Sequence, residues 1–338
     1  MRTIAIFPIL LSTSLLGQQW LEEKHSASQE IRNQQWRQME AYAAAREGDP
    51  EGWRQLLRNR IGFPVAGLVA NGPLRLQKFG EDAQATYYRS YLPLSQGLEA
   101  YGLLLVPKGE GRRPLVVAQH GGGGFPEMAL FGGGANYKDM IRGAVQEGYV
   151  VYAPHVVMYP FGDRARGSPI PADVRQRLDE KLRAAGASLA AVELMKLHLA
   201  LDELLKRPEV DPNRVAMIGL SYGGFYATYA AALDVRIRVV VASCSFRDDP
   251  AVADGKTGGR LLDIAPGEMA ALVAPRPLQI QSGIKDQPIP IYHSRRGSAR
   301  AKDYYAKRGA ADRIEYVEFD GGHEFRGELA WPFLRKWL

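Results

Sequence analysis

The chain holds a single cysteine, Cys244, among 338 residues, so no internal disulfide can staple it, and stability must come from burial of apolar surface. It also lacks long apolar runs. The run at 4–16 is too short to span a bilayer, and no later stretch reaches about 18 uninterrupted apolar residues, which excludes a multi-span membrane protein. No Cys/His cluster has zinc spacing, so metal-dependent hydrolysis finds no support, and neither metal nor organic cofactor is expected. No block of one charge sign is present either: 43 basic residues face 37 acidic ones, for a net +6. The densest basic cluster, Arg295, Arg296, Arg300 and Lys302, has no interleaved aromatics and reads as a solvated helix face, so no nucleic-acid partner is predicted. Internal repeats and low-complexity linkers are absent. A 46% hydrophobic content is ample for one sizeable core.

What is present starts with Met1-Arg2, the apolar run and Gly17-Gln18-Gln19, the layout of a short secretory signal peptide. Residues 1–17 are therefore read as a signal, the location as periplasmic or secreted, and the mature protein as free of stable membrane insertion. Residues 18–73 read as an N-terminal helical extension, with surface helices at 29–46 and 50–60 separated by Gly48-Asp49-Pro50. Short β-branched or aromatic segments at 74–79, 85–92 and 98–106 suit antiparallel strands. From Pro114 onward, apolar runs alternate with helical stretches, the signature of βαβ units around a parallel sheet. Strands are predicted at 115–119, 150–154, 215–220, 239–243, 278–282 and 314–319, and helices at 137–147, 188–206, 223–233, 298–308 and 329–338. The fold class is α/β, a mostly parallel twisted sheet with helices on both faces, filling a domain at 74–338. Long excursions at 155–187 and 246–275 follow strand ends and are candidate lid and pocket walls.

The chemistry centres on Gly219-Leu220-Ser221-Tyr222-Gly223. The pentapeptide alone is weak evidence, but Val215-Ala216-Met217-Ile218 supplies a strand before it and Phe225 to Ala231 a helix after it. A serine on so sharp a turn needs neighbours without Cβ, and the following helix points free N–H groups at a developing oxyanion. Ser221 is the candidate nucleophile and the Tyr222 N–H a candidate oxyanion donor. A serine hydroxyl needs a base, and the base needs an orienting acid. Asp286, in the turn Gly283-Ile284-Lys285-Asp286 after a predicted strand, is the leading acid, with Asp248 and Asp249 as rivals. His323, in Asp320-Gly321-Gly322-His323-Glu324, is the leading base. His25, His198 and His293 fall in surface or helical contexts. The order Ser, Asp, His is that of the nucleophile-elbow hydrolases. His120-Gly121-Gly122-Gly123-Gly124 offers further backbone donors, assigned to Gly122 and Gly123, with His120 bracing the loop. Dinucleotide binding is disfavoured because no helix with the required acidic residue follows.

These residues resemble the α/β-hydrolase superfamily, in the branch holding dienelactone hydrolases, acetyl xylan esterases and prolyl-oligopeptidase-type catalytic domains. The resemblance runs from about Leu98 to the C-terminus, carried by the loop at His120, the elbow at Ser221, Gly283 to Asp286, and His323. Gly162-Asp163-Arg164-Ala165-Arg166-Gly167 is similar to that branch's loop after the second parallel strand. Acetyl xylan and cephalosporin deacetylases carry Arg-Gly-Gln, where this chain has Arg166-Gly167-Ser168, although His323-Glu324 matches their His-Glu pair. Glucuronoyl esterases place Arg where Tyr222 stands, and dienelactone hydrolases place Cys where Ser221 stands. Too few residues precede Leu98 for a peptidase propeller.

The reading is carboxylic-ester hydrolysis through an acyl-enzyme, on a small-molecule or carbohydrate ester. Tyr159, Phe161 and Arg164 are candidates to line the pocket. The alternatives are a serine exopeptidase of the prolyl-oligopeptidase type and a non-catalytic carbohydrate-binding or scaffold protein; the filled triad positions argue against the latter.

Overall fold

A computed structural model describes residues 28–41, 49–122, 124–131, 136–156, 174–248 and 266–338. The predicted signal at 1–17, Gly123, Asp249, the segment from Gly162 to Ser168 and the pocket candidates Tyr159, Phe161 and Arg164 lie outside them. Residues 28–41 form helix α1, exposed along its length. Helix α2, Pro50–Ile61, buries Leu57 and Ile61, and Arg54–Leu338 form one compact unit that holds the sheet. A helix with two buried aliphatics behaves as part of the core it covers.

Among the described residues, nine strands form one sheet in the order β1-β2-β3-β5-β4-β6-β7-β8-β9. Strands β1 (Arg75–Glu81), β2 (Ala85–Pro93) and β3 (Glu99–Pro107) are antiparallel, and β3 joins β5 (Val150–Pro154) antiparallel as well. The rest are parallel: β5, β4 (Arg113–Gln119), β6 (Val210–Leu220), β7 (Val239–Ser243), β8 (Leu278–Gly283) and β9 (Ile314–Phe319). All five residues of β5 and of β7 are buried, as expected for strands covered on both faces. The α/β class and the mostly parallel sheet agree with the sequence expectation.

Helices α3 (Pro126–Phe131) and α4 (Met140–Gln146) follow β4, α5 (Val174–Ala184) and α6 (Leu189–Leu204) precede β6, and α7 (Tyr222–Leu233) follows it. Then come α8 (Pro266–Val273), α9 (Ile291–Lys307) and α10 (Gly327–Trp337). Among the described residues no single helix is long and apolar enough to cross a membrane. Three of the helices, α3, α5 and α8, are not predicted from the sequence; α5 and α8 fall inside the two long excursions.

Helices α7 and α8 end in a shared cluster of arginines. Arg276 donates to the carbonyls of Ala231, Ile237 and Val273 at 2.6, 2.7 and 3.2 Å, and Arg54 to those of Ala232 and Leu272 at 2.6 and 3.2 Å. Arg308 donates to the carbonyls of Ala271 and Ala274. The last-turn carbonyls of a helix have no intrahelical partner and carry its negative dipole end, so guanidinium groups satisfy both needs. Burial pulls the Arg276 guanidinium down to about 10, which leaves it charged at neutral pH.

Strand register aligns the carboxyl ends of the parallel strands. Gln119 pairs with Gly219, Leu220 with Ser243, Ser243 with Gln281, and Gly283 with Phe319. The strand order also reverses at β4, flanked by β5 on one side and β6 on the other. Such a reversal opens a crevice beyond the carboxyl ends, where ligands bind in open α/β sheets.

Candidate active site

Ser221 stands at the junction of β6 and α7 with φ 58° and ψ −120°, a conformation that L-residues rarely adopt. Strain of this kind persists only where its surroundings over-determine it. Here the Ser221 N–H donates to the Ser243 carbonyl at 2.7 Å, fixing the turn to β7. Close approach explains the flanking glycines. A Cβ on Gly219 would strike the Gly223 backbone, and one on Gly223 would collide with the Gln119 carbonyl and lie 2.7 Å from that of His120. Helix α7 therefore presses its first turn directly against the end of β4, and Tyr222 N–H, in that turn, has no intrahelical acceptor.

The loop after β4 is braced from two sides. Gly121 N–H donates to the Tyr137 hydroxyl at 3.0 Å, and Gly124 N–H to the Gly121 carbonyl at 3.1 Å. Those two donors are committed, and Gly122 is exposed to solvent. His120 is buried; its Nδ1 lies 2.9 Å from the Gly121 carbonyl and its Nε2 accepts from Val156 N–H at 3.1 Å. That pattern suits a neutral Nδ1–H tautomer. Burial holds the imidazole near 4, so it stays neutral.

His323 Nδ1 lies 2.9 Å from Asp286 Oδ2 and 3.0 Å from Oδ1. Asp286 is buried and also accepts from Ile289 N–H at 2.9 Å, so its carboxylate is held by the turn that carries it. The two loops are laced together: Ile284 N–H donates to the Phe319 carbonyl at 3.0 Å and Lys285 N–H to that of Gly321 at 2.9 Å. Gly283 permits this approach, because a Cβ there would collide with the Gly322 carbonyl. With Nδ1 facing Asp286, His323 presents Nε2 as its other nitrogen.

The rival acid Asp248 faces elsewhere. It pairs with His293 Nδ1 and with Arg296, on α9. The basic cluster on that helix is locally neutralised, since Arg295 binds Glu318 through two bonds at 2.7 and 2.8 Å and Arg300 pairs with Glu268. His198 pairs with Asp234 at 2.9 Å, and Glu324 with Lys138 and Arg326 at 3.2 and 2.9 Å.

Three further residues stand near the site. Tyr137 anchors the glycine loop from a position predicted to start a helix. Arg175, on α5, lies over the Tyr222 ring at 4.8 Å and donates to its hydroxyl. Cys244, one residue past β7, has φ 49° and is fully buried, and burial together with the neighbouring Asp286 carboxylate pushes its thiol up to about 12.

No family model matches the chain. It is 29% identical over 311 residues to "Putative hydrolase YtaP" of Bacillus subtilis (strain 168), covering 84% of this chain and 98% of that protein. Among solved structures, "a putative acetyl xylan esterase" from Bacteroides fragilis NCTC 9343 superposes with a TM-score of 0.65 at 19% identity, covering 86% of this chain and 87% of the other. The chain has the α/β-hydrolase fold. Acetyl xylan esterase 1 from Thermoanaerobacterium sp. JW/SL YS485 shares that fold, with a TM-score of 0.56, 19% identity, and 84% and 93% of the two chains covered.

Proposed function

We propose that the protein hydrolyses carboxylic esters by an acyl-enzyme mechanism, with Ser221, His323 and Asp286 as its triad. The observation that carries this reading is the Asp286–His323 pair, 2.9 Å apart, on the sheet edge where β6 delivers the strained Ser221. His323 Nε2 takes the Ser221 hydroxyl proton as Oγ attacks the ester carbonyl. Asp286 holds the Nδ1–H tautomer and stabilises the imidazolium. The oxyanion draws on the N–H groups of Gly122, Gly123 and Tyr222 and on the positive end of α7. His323 then protonates the departing alcohol and activates the water that frees the acid. Neighbours named as acetyl xylan esterases favour a short-acyl ester of a carbohydrate, or a small-molecule analogue, as substrate. The run at 4–16 supports action after export.

Fluorophosphonate labelling tests the reading. Wild type should label stoichiometrically and hydrolyse acetyl esters, and Ser221→Ala should lose both, with kcat down by about 10⁴–10⁶. Labelling that persists in Ser221→Ala would sink the assignment. Faster cleavage of aminoacyl-arylamides than of acetyl esters would move the protein to the peptidases.

A further inference from the structure

The ends of β7, β8 and β9 bring three different ligand types together. Cys244 Sγ, an Asp286 carboxylate oxygen and a His323 imidazole nitrogen all lie within 4.8 Å of one another. Zinc-type ions bind this set of sulfur, nitrogen and oxygen donors in tetrahedral sites, with bonds of about 2.0–2.3 Å that place ligand atoms about 3.3–3.8 Å apart. Side-chain rotations of the order of 1 Å would close the trio onto an ion. Sequence spacing hides the set, because zinc sites are recognised by ligands a few residues apart and these three sit on separate strand ends.

We propose that Cys244, Asp286 and His323 form an inhibitory site for a thiophilic divalent cation, Zn²⁺ being the ion its donors fit. Charge favours a divalent ion: thiolate and carboxylate together balance two positive charges, and the imidazole binds as a neutral ligand. A neutral complex suits a site where Cys244 and Asp286 are buried, since an uncompensated charge there is costly. At the thiol, coordination displaces only weak bonds, and it exchanges the Asp286–His323 pairing for bonds to the ion. The thiol donates to the carbonyls of Glu324 and Gly322, at 3.5 and 3.8 Å, and accepts from the Ser243 hydroxyl at 3.9 Å, and sulfur is a weak hydrogen-bonding partner. On binding, the Cys244 S–H bond breaks, its proton leaves to solvent, and a sulfur–metal bond forms with no change in oxidation state. A fourth position is left to water. His323 retains 19% side-chain exposure and gives the ion its way in. An imidazole bound to metal no longer serves as base, so occupancy stops turnover. That effect rests on the catalytic reading of His323, whereas the binding does not.

The test uses Cd²⁺ as a spectroscopic substitute for Zn²⁺, with each enzyme's ester hydrolysis normalised to its own rate in EDTA. Wild type should show an ultraviolet thiolate-to-cadmium charge-transfer band at one equivalent and lose its activity over the same titration; EDTA should restore both. Cys244→Ser and Cys244→Ala should lose the band and raise the half-inhibitory concentration at least about tenfold, since even outer-shell partners cost roughly 10- to 100-fold in metal affinity. His323→Gln should weaken the band's titration without any need for activity. A missing band in wild type, or inhibition unchanged in both cysteine variants, overturns the site. A band that depends on Cys244 while wild-type turnover continues upholds the site and overturns His323 as the base.

Discussion

At the scale of single residues, His120 makes a stability argument with a definite sign. Its imidazole is held near 4 in the folded protein against an ordinary 6.5, because a charged ring cannot be solvated where it is buried. As pH falls, the unfolded chain therefore takes up this proton first. The contribution of His120 is complete above pH 6.5 and is lost between pH 6.5 and 4, by about 3 kcal/mol at most. Urea titrations across that range should show the slope, and His120→Gln should flatten it; an unchanged slope would remove His120 from the account. The candidate triad and the glycine loop were legible at this scale because each residue type carries its own chemical signature at a strand end. Tyr137 and Arg175 carry none. Tyr137 matters through a contact to Gly121, sixteen residues away, and Arg175 through one to Tyr222, forty-seven away, and a linear pattern contains neither.

Among the elements, β4 and α7 touch so closely that one methyl group decides the matter. In Gly223→Ala the new Cβ would meet the carbonyls of Gln119 and His120, so the helix must move off the strand. Overpacking of this kind costs about 1–3 kcal/mol. It also shifts Ser221, so the rate should fall by more than the stability loss explains. Circular dichroism and ester hydrolysis on one preparation separate the two effects, and wild-type turnover in the variant would show that the contact is not needed. The strands were the most legible elements: β5, β7 and β9 begin and end where the apolar runs do. Helices were less so. The segment at 137–147 reads as one helix, yet Lys138 and Asp139 take left-handed φ of 46° and 54°, and α4 starts only at Met140. Helix α8 opens Pro-Gly and runs eight residues, too short for a clear period. The charged α5 presents Arg175 and Asp179 as its buried residues, an inversion of the pattern that marks a core-facing helix.

For the molecule as a whole, the arginine cluster beneath α7 and α8 is the feature whose removal is felt furthest. Arg276→Met keeps the apolar stem and deletes the donors to the carbonyls of Ala231, Val273 and Ile237. Leaving buried acceptors unpaired costs about 1–3 kcal/mol each when solvent cannot replace the donor, so a loss of about 2–4 kcal/mol is expected after relaxation. A lowered urea midpoint with an unchanged slope is the signature, and a midpoint equal to wild type would show that water fills the role. Nothing in the sequence marks this cluster, because Arg54, Arg276 and Arg308 meet only once the sheet is assembled. The geometry has a practical side. Helix α7 is twelve residues long, so Ser221 and the guanidinium groups sit at opposite ends of a rod of about 18 Å. A library confined to Arg54, Arg276, Arg308 and their neighbours would act on Ser221 only through the far end of its helix, a means of varying robustness at a distance from the candidate site.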